Sequence, residues 1–370
     1  MTFLYKKQLN KNLLKNEAIT KMLLPKGYVL FGCAVLGKDE ANMFAYKDDK
    51  PVEDFEGFNG KAMCNSQLLP NHYIVNEQSN DRNVYFENVK IYDKNRKFIS
   101  GFEVDLINHE CIFGTNAPRY YTPAFDYSKT NDNILLIRND VKHEKAVSDL
   151  EIIDNHVTEY DIEGNIVWDW CAAEHIDQLG LNEKRRKAMK KQSVSNLAFG
   201  QGNDWIHLNT AVALGENKWY DQGDERFHPE NIMICSRSLS AVYIIDKKTK
   251  DIVYTLKGRD FRFRLQHYAH IIPKGLPGEG NILLLNNHSD SDPSVLEINP
   301  ITMEVVCKIT GRFTSKAMGS VQKLEDGSYL IGCSNGMSVH RYGADGKLIE
   351  EMMLQRPFYR VNAYPAEWLK

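Results

Sequence analysis

The stretch YIIDKKTKDIVYTL, residues 243–256, decides how this chain is read. Apolar and polar residues alternate on either side of a polar, Asp-bearing turn, the pattern of an antiparallel hairpin with a buried face. The arrangement returns in KIYDKNRKFISGF (90–102), TEYDIEGNIVWDW (158–170), LEINPITMEVVCKI (296–309) and HRYGADGKLIEEMM (340–353), with a weaker copy in MFAYKDDKPVEDF (43–55). Each copy follows a short apolar strand: GYVLFG, HYIVNE, NILLIR, NIMICS, NILLLN or SYLIGC. Six such units, several tens of residues apart, predict an all-β fold, a six-bladed β-propeller. No Pro/Gly/Ser-rich linker splits the chain into two sandwiches of three repeats, so residues 1–370 read as one propeller domain.

Two stretches interrupt the period, within an insertion-rich region over 171–230. EHIDQLGLNEKRRKAMKKQSVSNL (174–197) has helical composition, and GENKWYDQGDERFHPE (215–230) is a polar, aromatic loop rich in turn formers. Helical insertion and long loops are expected on one face, because long loops on a rigid scaffold usually carry function. Residues 1–25 read as a peripheral N-terminal helix.

The totals exclude several classes. A chain of 370 residues, 42% of them hydrophobic, buries a large core and is neither disordered nor fibrous. With 46 basic against 49 acidic side chains, the net charge of −3 offers no basic surface for nucleic acid. No apolar run is long enough for a signal-peptide core or a membrane span, which predicts a cytoplasmic protein. The seven cysteines are widely spaced, odd in number and without a CxxC pair, as expected of small buried side chains in a reducing compartment.

Histidine is the informative residue. Five of the eleven, His207, His267, His270, His288 and His340, fall at strand ends or loops of the second half. A propeller gathers its inner strands around one channel, so these imidazoles can meet there with Asn209, Arg237, Asn286, Asn287, Arg341, Tyr359 and Arg360. Imidazoles, amides and guanidinium groups with few carboxylates suit an oxyanion better than a cation.

The order of motifs resembles the bacterial arylsulfate sulfotransferase family, and the chain is similar to it from about residue 120 onward: GNIVWDW followed by EH, DWIHLN, GENKWYDQGDERFHPENI, CSRS, QHYAHIIPKGLPGEGNILL and YR followed by PAEWL. The resemblance implies a six-bladed propeller that moves a sulfuryl group from a phenolic sulfate ester to another phenol through a sulfated histidine, with no metal, nucleotide or other cofactor. It implies His340 as the nucleophile and His207 and His267 as its catalytic neighbours. Asn209, Arg237, His270, Asn287, His288, Tyr359, Arg360, Trp170 and His175 would bind substrate. The expected partner is a small aromatic or phenolic molecule, sulfated or not; a homo-oligomer is compatible with this reading.

The chain departs from the family pattern in four places. LLNNHSDSDPS carries His288 and Ser291 but no clamp arginine, Ala363 stands where a second arginine is common, YYTPAFDY (120–127) replaces a histidine-rich stretch, and the family's frequent export signal is absent. Two other functions therefore stay open: a lyase, isomerase or hydrolase using His207, His267, His270 and His288 as acid, base or metal ligands, and a non-catalytic ligand-binding propeller.

Overall fold

A computed structural model describes residues 23–34, 43–52, 66–70, 72–77, 86–95, 97–191, 203–287, 293–311, 313, 315–354 and 358–369. The helix expected over 1–25 lies outside these residues, except for 23–25, which are not helical. The described chain is all-β, with a few short helices.

Five sheets form a ring. The first holds β1 (Tyr28–Ala34), β2 (Met43–Lys47), β3 (Lys50–Pro51) and the C-terminal strand β24 (Phe358–Pro365), in the order β24-β1-β2-β3. The second has eight strands: β4 (Ser66–Leu68), β5 (His72–Glu77), β6 (Phe86–Asp93), β7 (Phe98–Phe113), β8 (Ile134–His143), β9 (Glu151–Tyr160), β10 (Ile166–Cys171) and β11 (Asn203–Asp204), the last lying parallel to β9. The third runs β12 (Leu208–Ala213), β13 (Ile232–Ser236), β14 (Ala241–Ile245) and β15 (Ile252–Lys257). The fourth runs β16 (His267–Ile271), β17 (Ile282–Asn286), β18 (Ser294–Ile298) and β19 (Val305–Thr310), and the fifth β20 (Ser320–Lys323), β21 (Tyr329–Cys333), β22 (Ser338–Tyr342) and β23 (Leu348–Met353).

Successive sheets pack through their inner strands, β7 and β8 on β12, β12 and β13 on β16, β16 and β17 on β20, β20 and β21 on β24, and β1 on β4. The ring closes by hydrogen bonding, since β24 pairs with β1 from Tyr28↔Pro365 to Ala34↔Phe358. The inner strands keep short edges along the axis, where the ring shields them from pairing with another chain. Middle strands β13, β14, β17, β18 and β21 are buried along their whole length, whereas the outer strand β19 is mostly exposed and β23 mostly half-buried. Each fully buried Ile or Leu contributes about 1.5–3 kcal/mol relative to exposure.

The ring has five blades, not the expected six. All six hairpins form, and their turns are made by the acidic and amide residues that flagged them: Asp246 accepts the Lys248 and Thr249 amides, Asp161 those of Glu163 and Asn165, and Asn299 those of Ile301 and Thr302. The second and third hairpins share a sheet because β7 runs 16 residues without a break. Its first part pairs with β6 and its second with β8, and left-handed Leu106 and His109 turn the strand between them.

The insertion also differs from expectation. One helix, Glu183–Lys191, and a single turn, Ala172–His175, fill the groove between the second and third sheets, where Tyr243 donates to Leu179 O and Arg185 to Ser238 O. This insertion leads into the start of β12, but the 215–230 loop leaves from its end. The two cannot lie on one face as expected, because a strand carries its neighbours to opposite mouths of the ring.

Candidate functional site

Four inner strands bulge as they enter the ring. Register shifts fall between Ile107 and Cys111 in β7, Leu208 and Thr210 in β12, His267 and His270 in β16, and at Tyr359 in β24, opposite Cys33 and Ala34. His109, His207, Tyr268 and Met318 sit at positive φ (59°, 47°, 59° and 61°). Such backbone costs about 1–3 kcal/mol per residue and persists where the surroundings enforce it, often at sites that re-aim side chains. Here it turns His109, His207, His267 and Tyr359 toward one mouth, the end where the inner strands begin.

The side chains meet closely. The His109 ring lies 4.8 Å from that of His207 and 6.5 Å from that of His267, and its Nδ1 is 2.6 Å from the Tyr359 hydroxyl. Asp204 accepts from His207 Nδ1 at 2.5 Å and from its backbone N–H at 3.1 Å, so the free lone pair of His207 is on Nε2. His267 Nδ1–H faces two acceptors, Leu265 O at 2.9 Å and Asn287 Oδ1 at 2.8 Å. Its Nε2 lone pair meets only the Met318 N–H, at 3.3 Å.

Electrostatics keep the mouth hungry for an anion. Burial pushes His267 down to about 3, with the Arg237 charge and His207 adding to the effect. His109 is likewise held well below its ordinary value by burial, His207 and His267. Arg237 is half-buried, and its guanidinium makes no hydrogen bond or ion pair among the described residues; burial lowers its pKa too. Its backbone N–H donates to His207 O at 3.0 Å, which fixes it beside the cluster. A partly desolvated cation next to neutral imidazoles, offset only by the Asp204 charge that His207 already engages, favours an arriving anion.

Deeper along the axis the charges are paired. Glu110 bridges Arg119 and Arg360, each at 2.5 Å, and both guanidinium groups lie over the Tyr268 ring, at 3.9 and 5.0 Å. Arg360 also donates to Asn209 O at 2.7 Å. Asn209 is fully buried and donates to Gln266 O at 2.7 Å. Beyond this plug, where the inner strands end, a cavity of about 60 Å³ is lined by Arg119, Thr122, Phe125, His270 and Lys274 among others.

Of the residues expected at the site, His207, His267, Arg237 and Tyr359 come together, with Asn209, Asn287 and Arg360 bracing them from behind. His270 is on the same strand as His267 but belongs to the far side of the plug, where Tyr268 O and the Tyr120 hydroxyl engage its two nitrogens at 2.8 and 3.1 Å. His340 does not join the cluster: it lies on β22, two strands outward from the inner strand β20 and thus roughly 10 Å from it. There it is buried between Phe313 and Tyr342, with Nε2 on the Ser338 hydroxyl at 2.8 Å. Trp170 and His175 stack on each other at 5.1 Å in the groove under the insertion and line no axial site, because β10 is an outer strand. His288 and Ser291 fall outside the described residues.

Sequence reasoning missed His109, Asp204, Glu110 and Arg119. Asp204 was visible as the acid three residues before His207 in DWIHLN. His109 supplies an imidazole eleven residues upstream of YYTPAFDY, where none was sought; only the bulge aims it at the axis.

A family model described as Arylsulfotransferase (ASST) matches residues 89–354, more than two thirds of the chain. No curated protein matches. Among solved structures, a protein of unknown function from Bacteroides caccae is similar with a TM-score of 0.53 at 9% identity, covering 91% of this chain and 99% of that one. The β-propeller domain of Myceliophteria thermophila Cps50 (Swd1) has a TM-score of 0.49 at 9% identity, covering 92% and 90%. At such identities the likeness to the Bacteroides caccae protein concerns the fold alone.

Proposed function

The chain belongs to the arylsulfotransferase family, and from that premise and the geometry of the first mouth we propose that it moves a sulfuryl group from an aryl sulfate to a phenolic acceptor through sulfated His267. The observation that carries this reading is the Arg237 guanidinium, which has no hydrogen bond among the described residues and whose charge acts on His109 and His267. It would hold the sulfate oxygens and stabilise the charge that builds on them, as fixed cations do in phosphoryl transfer.

The roles divide by environment. His267, with its pKa near 3, keeps its Nε2 lone pair at any ordinary pH and leaves readily from sulfur in the second half-reaction. His207, its tautomer set by the Asp204 carboxylate, is arranged for proton transfer. In the first half the His267 N–S bond forms as the S–O bond to the donor breaks, and the phenolate leaves as the anion. In the second half the His207 Nε2 lone pair takes the acceptor phenol's proton as the phenol oxygen bonds sulfur and the N–S bond breaks, and His207 then gives that proton to solvent. The Tyr359 hydroxyl, held by His109, would orient the aryl oxygen, and the strand-borne cluster supplies the positioning.

A chromogenic aryl sulfate tests this. Sustained phenolate release should require an added phenol and follow ping-pong kinetics, with a single equivalent released when no acceptor is present. Sustained release into water alone would mark a hydrolase and overturn the proposal.

A further inference from the structure

Away from the axial cluster, the second sheet carries a polar stripe on one face. The register pairs Asp140 with Asp154 and Arg138 with His156 across β8 and β9, and His156 with Cys171 across β9 and β10. Alternation therefore places Asp140, Lys142, Asp154, His156, Asp169 and Cys171 on the same side. A carboxylate oxygen of Asp154, a ring nitrogen of His156 and Cys171 Sγ all lie within 4.8 Å of one another.

The surroundings are those of a metal site rather than of a plain salt bridge. His156 is 7% exposed and its Nε2 makes no hydrogen bond. Its Nδ1 faces the Asp169 carboxylate at 2.9 Å and the Arg138 guanidinium at 3.0 Å, and Arg138 also donates to Asp169, so the outer contacts orient the imidazole through Nδ1 and leave Nε2 toward the cluster. Asp154 is oriented in the same way by Trp205, whose Nε1–H donates to Oδ1 at 3.1 Å. Lys142 Nζ stands 2.9 Å from Asp154 Oδ2 and 3.3 Å from Cys171 Sγ, so a cation already occupies the space between two of the donors. Its side chain is 31% exposed and has room to swing out, and Asp140, 51% exposed and 3.5 Å from His156 Nε2, offers a fourth oxygen at the solvent side.

We propose that Asp154, His156 and Cys171 form a binding site for a divalent transition metal, zinc above all, with the Lys142 ammonium as the competing occupant. Mixed S, N and O donors favour Zn²⁺, and tetrahedral bonds of about 2.0–2.3 Å would need only a modest inward shift of the three atoms. On binding, the Cys171 thiol gives up the proton it shares with Asp154 as the metal–sulfur bond forms, any proton on His156 Nε2 leaves as that nitrogen binds, both protons go to solvent, and Lys142 moves to water; no electron changes hands. The site adjoins the axial one: Trp205, which holds Asp154, follows Asp204, which holds His207. A bound metal would brace that segment from behind.

Titration with Co²⁺ reads this directly, because a thiolate–cobalt bond absorbs in the near ultraviolet. The full chain should bind one Co²⁺ with that band, lose it when Zn²⁺ is added, and lose it in Cys171→Ser and in His156→Gln with the fold checked by circular dichroism. Asp169→Asn should weaken binding about 10- to 100-fold. Lys142→Met should bind at least about tenfold more tightly, since the competing ammonium is gone. The proposal fails if neither the wild type nor Lys142→Met gives the band with Co²⁺ in excess, or if Cys171→Ser keeps it.

Discussion

Strand β16 carries two histidines three residues apart, and the fold treats them differently. His267 opens onto the mouth with Arg237 and His109, and its Nε2 has one long contact. His270 is buried past the Arg119–Glu110–Arg360 plug, with both nitrogens engaged. Burial lowers both to about 3, so neutrality alone does not mark a reacting group. Spare bonding capacity beside an unpaired charge does, and only the first mouth combines the two.

Variants at these two positions should separate most sharply. His267→Ala should cut transfer by at least about 10³-fold while the protein stays folded, as loss of a covalent nucleophile does. His270→Ala should leave the rate per folded molecule within about threefold and instead cost about 1–3 kcal/mol of stability, because the Tyr120 hydroxyl loses a buried partner. Equal losses of turnover would erase the distinction. Arg237→Ala comes next, with a fall of about 10²–10³ in kcat/KM, partly recovered in Arg237→Lys, and with little loss of thermal stability, since the guanidinium makes no hydrogen bond among the described residues and Asp204 keeps its His207 contacts. A marked drop in melting temperature would mean that Arg237 is structural.

The pattern of hairpins is legible in the sequence because Asp, Asn and Gly must sit where a turn needs a carboxylate cap or a positive φ. In MFAYKDDKPVEDF the turn residues Asp48 and Asp49 both adopt positive φ, 50° and 60°. What the pattern could not tell is whether a strand stops between two hairpins: β7 carries Asp105 and Asn108 at its bend and still runs on, so six hairpins make five sheets. The candidate site was legible where a residue stands in a short motif at a strand end, as with His207 in DWIHLN and Arg237 in CSRS. It was not where a bulge decides direction. Strict alternation would send His267 and His270 to opposite faces, and the extra residue at Tyr268 undoes that. His340 lies apart from the cluster for a related reason: position along the chain does not say how far out in a sheet a strand lies.

Acid should act on both ends of β16 alike. His267 and His270 fall from 6.5 to about 3 in the fold, and His340 to about 4. Below pH 6.5 the unfolded chain therefore binds protons that the folded chain refuses, and stability falls as pH drops through that window. Each group adds a slope of up to about 1.4 kcal/mol per pH unit. Urea unfolding at pH 7 and pH 5 should show this loss, and a variant lacking one of these histidines should show a shallower one. His340→Leu is the mildest case: it should flatten the acid dependence while leaving transfer within about twofold, since His340 touches Phe313, Tyr342 and Ser338 rather than the axis. Loss of transfer in that variant would return His340 to the reaction.

The central claim is the identity of the sulfated atom, and one measurement reaches it. Wild-type protein given an aryl sulfate without acceptor, quenched, digested and analysed by mass spectrometry under conditions that preserve N-sulfation, should carry one sulfuryl group on the peptide containing His267, and a chased phenol should remove it. A sulfuryl group on a peptide containing His109, His207 or His340, or steady turnover with no adduct at all, would contradict the account.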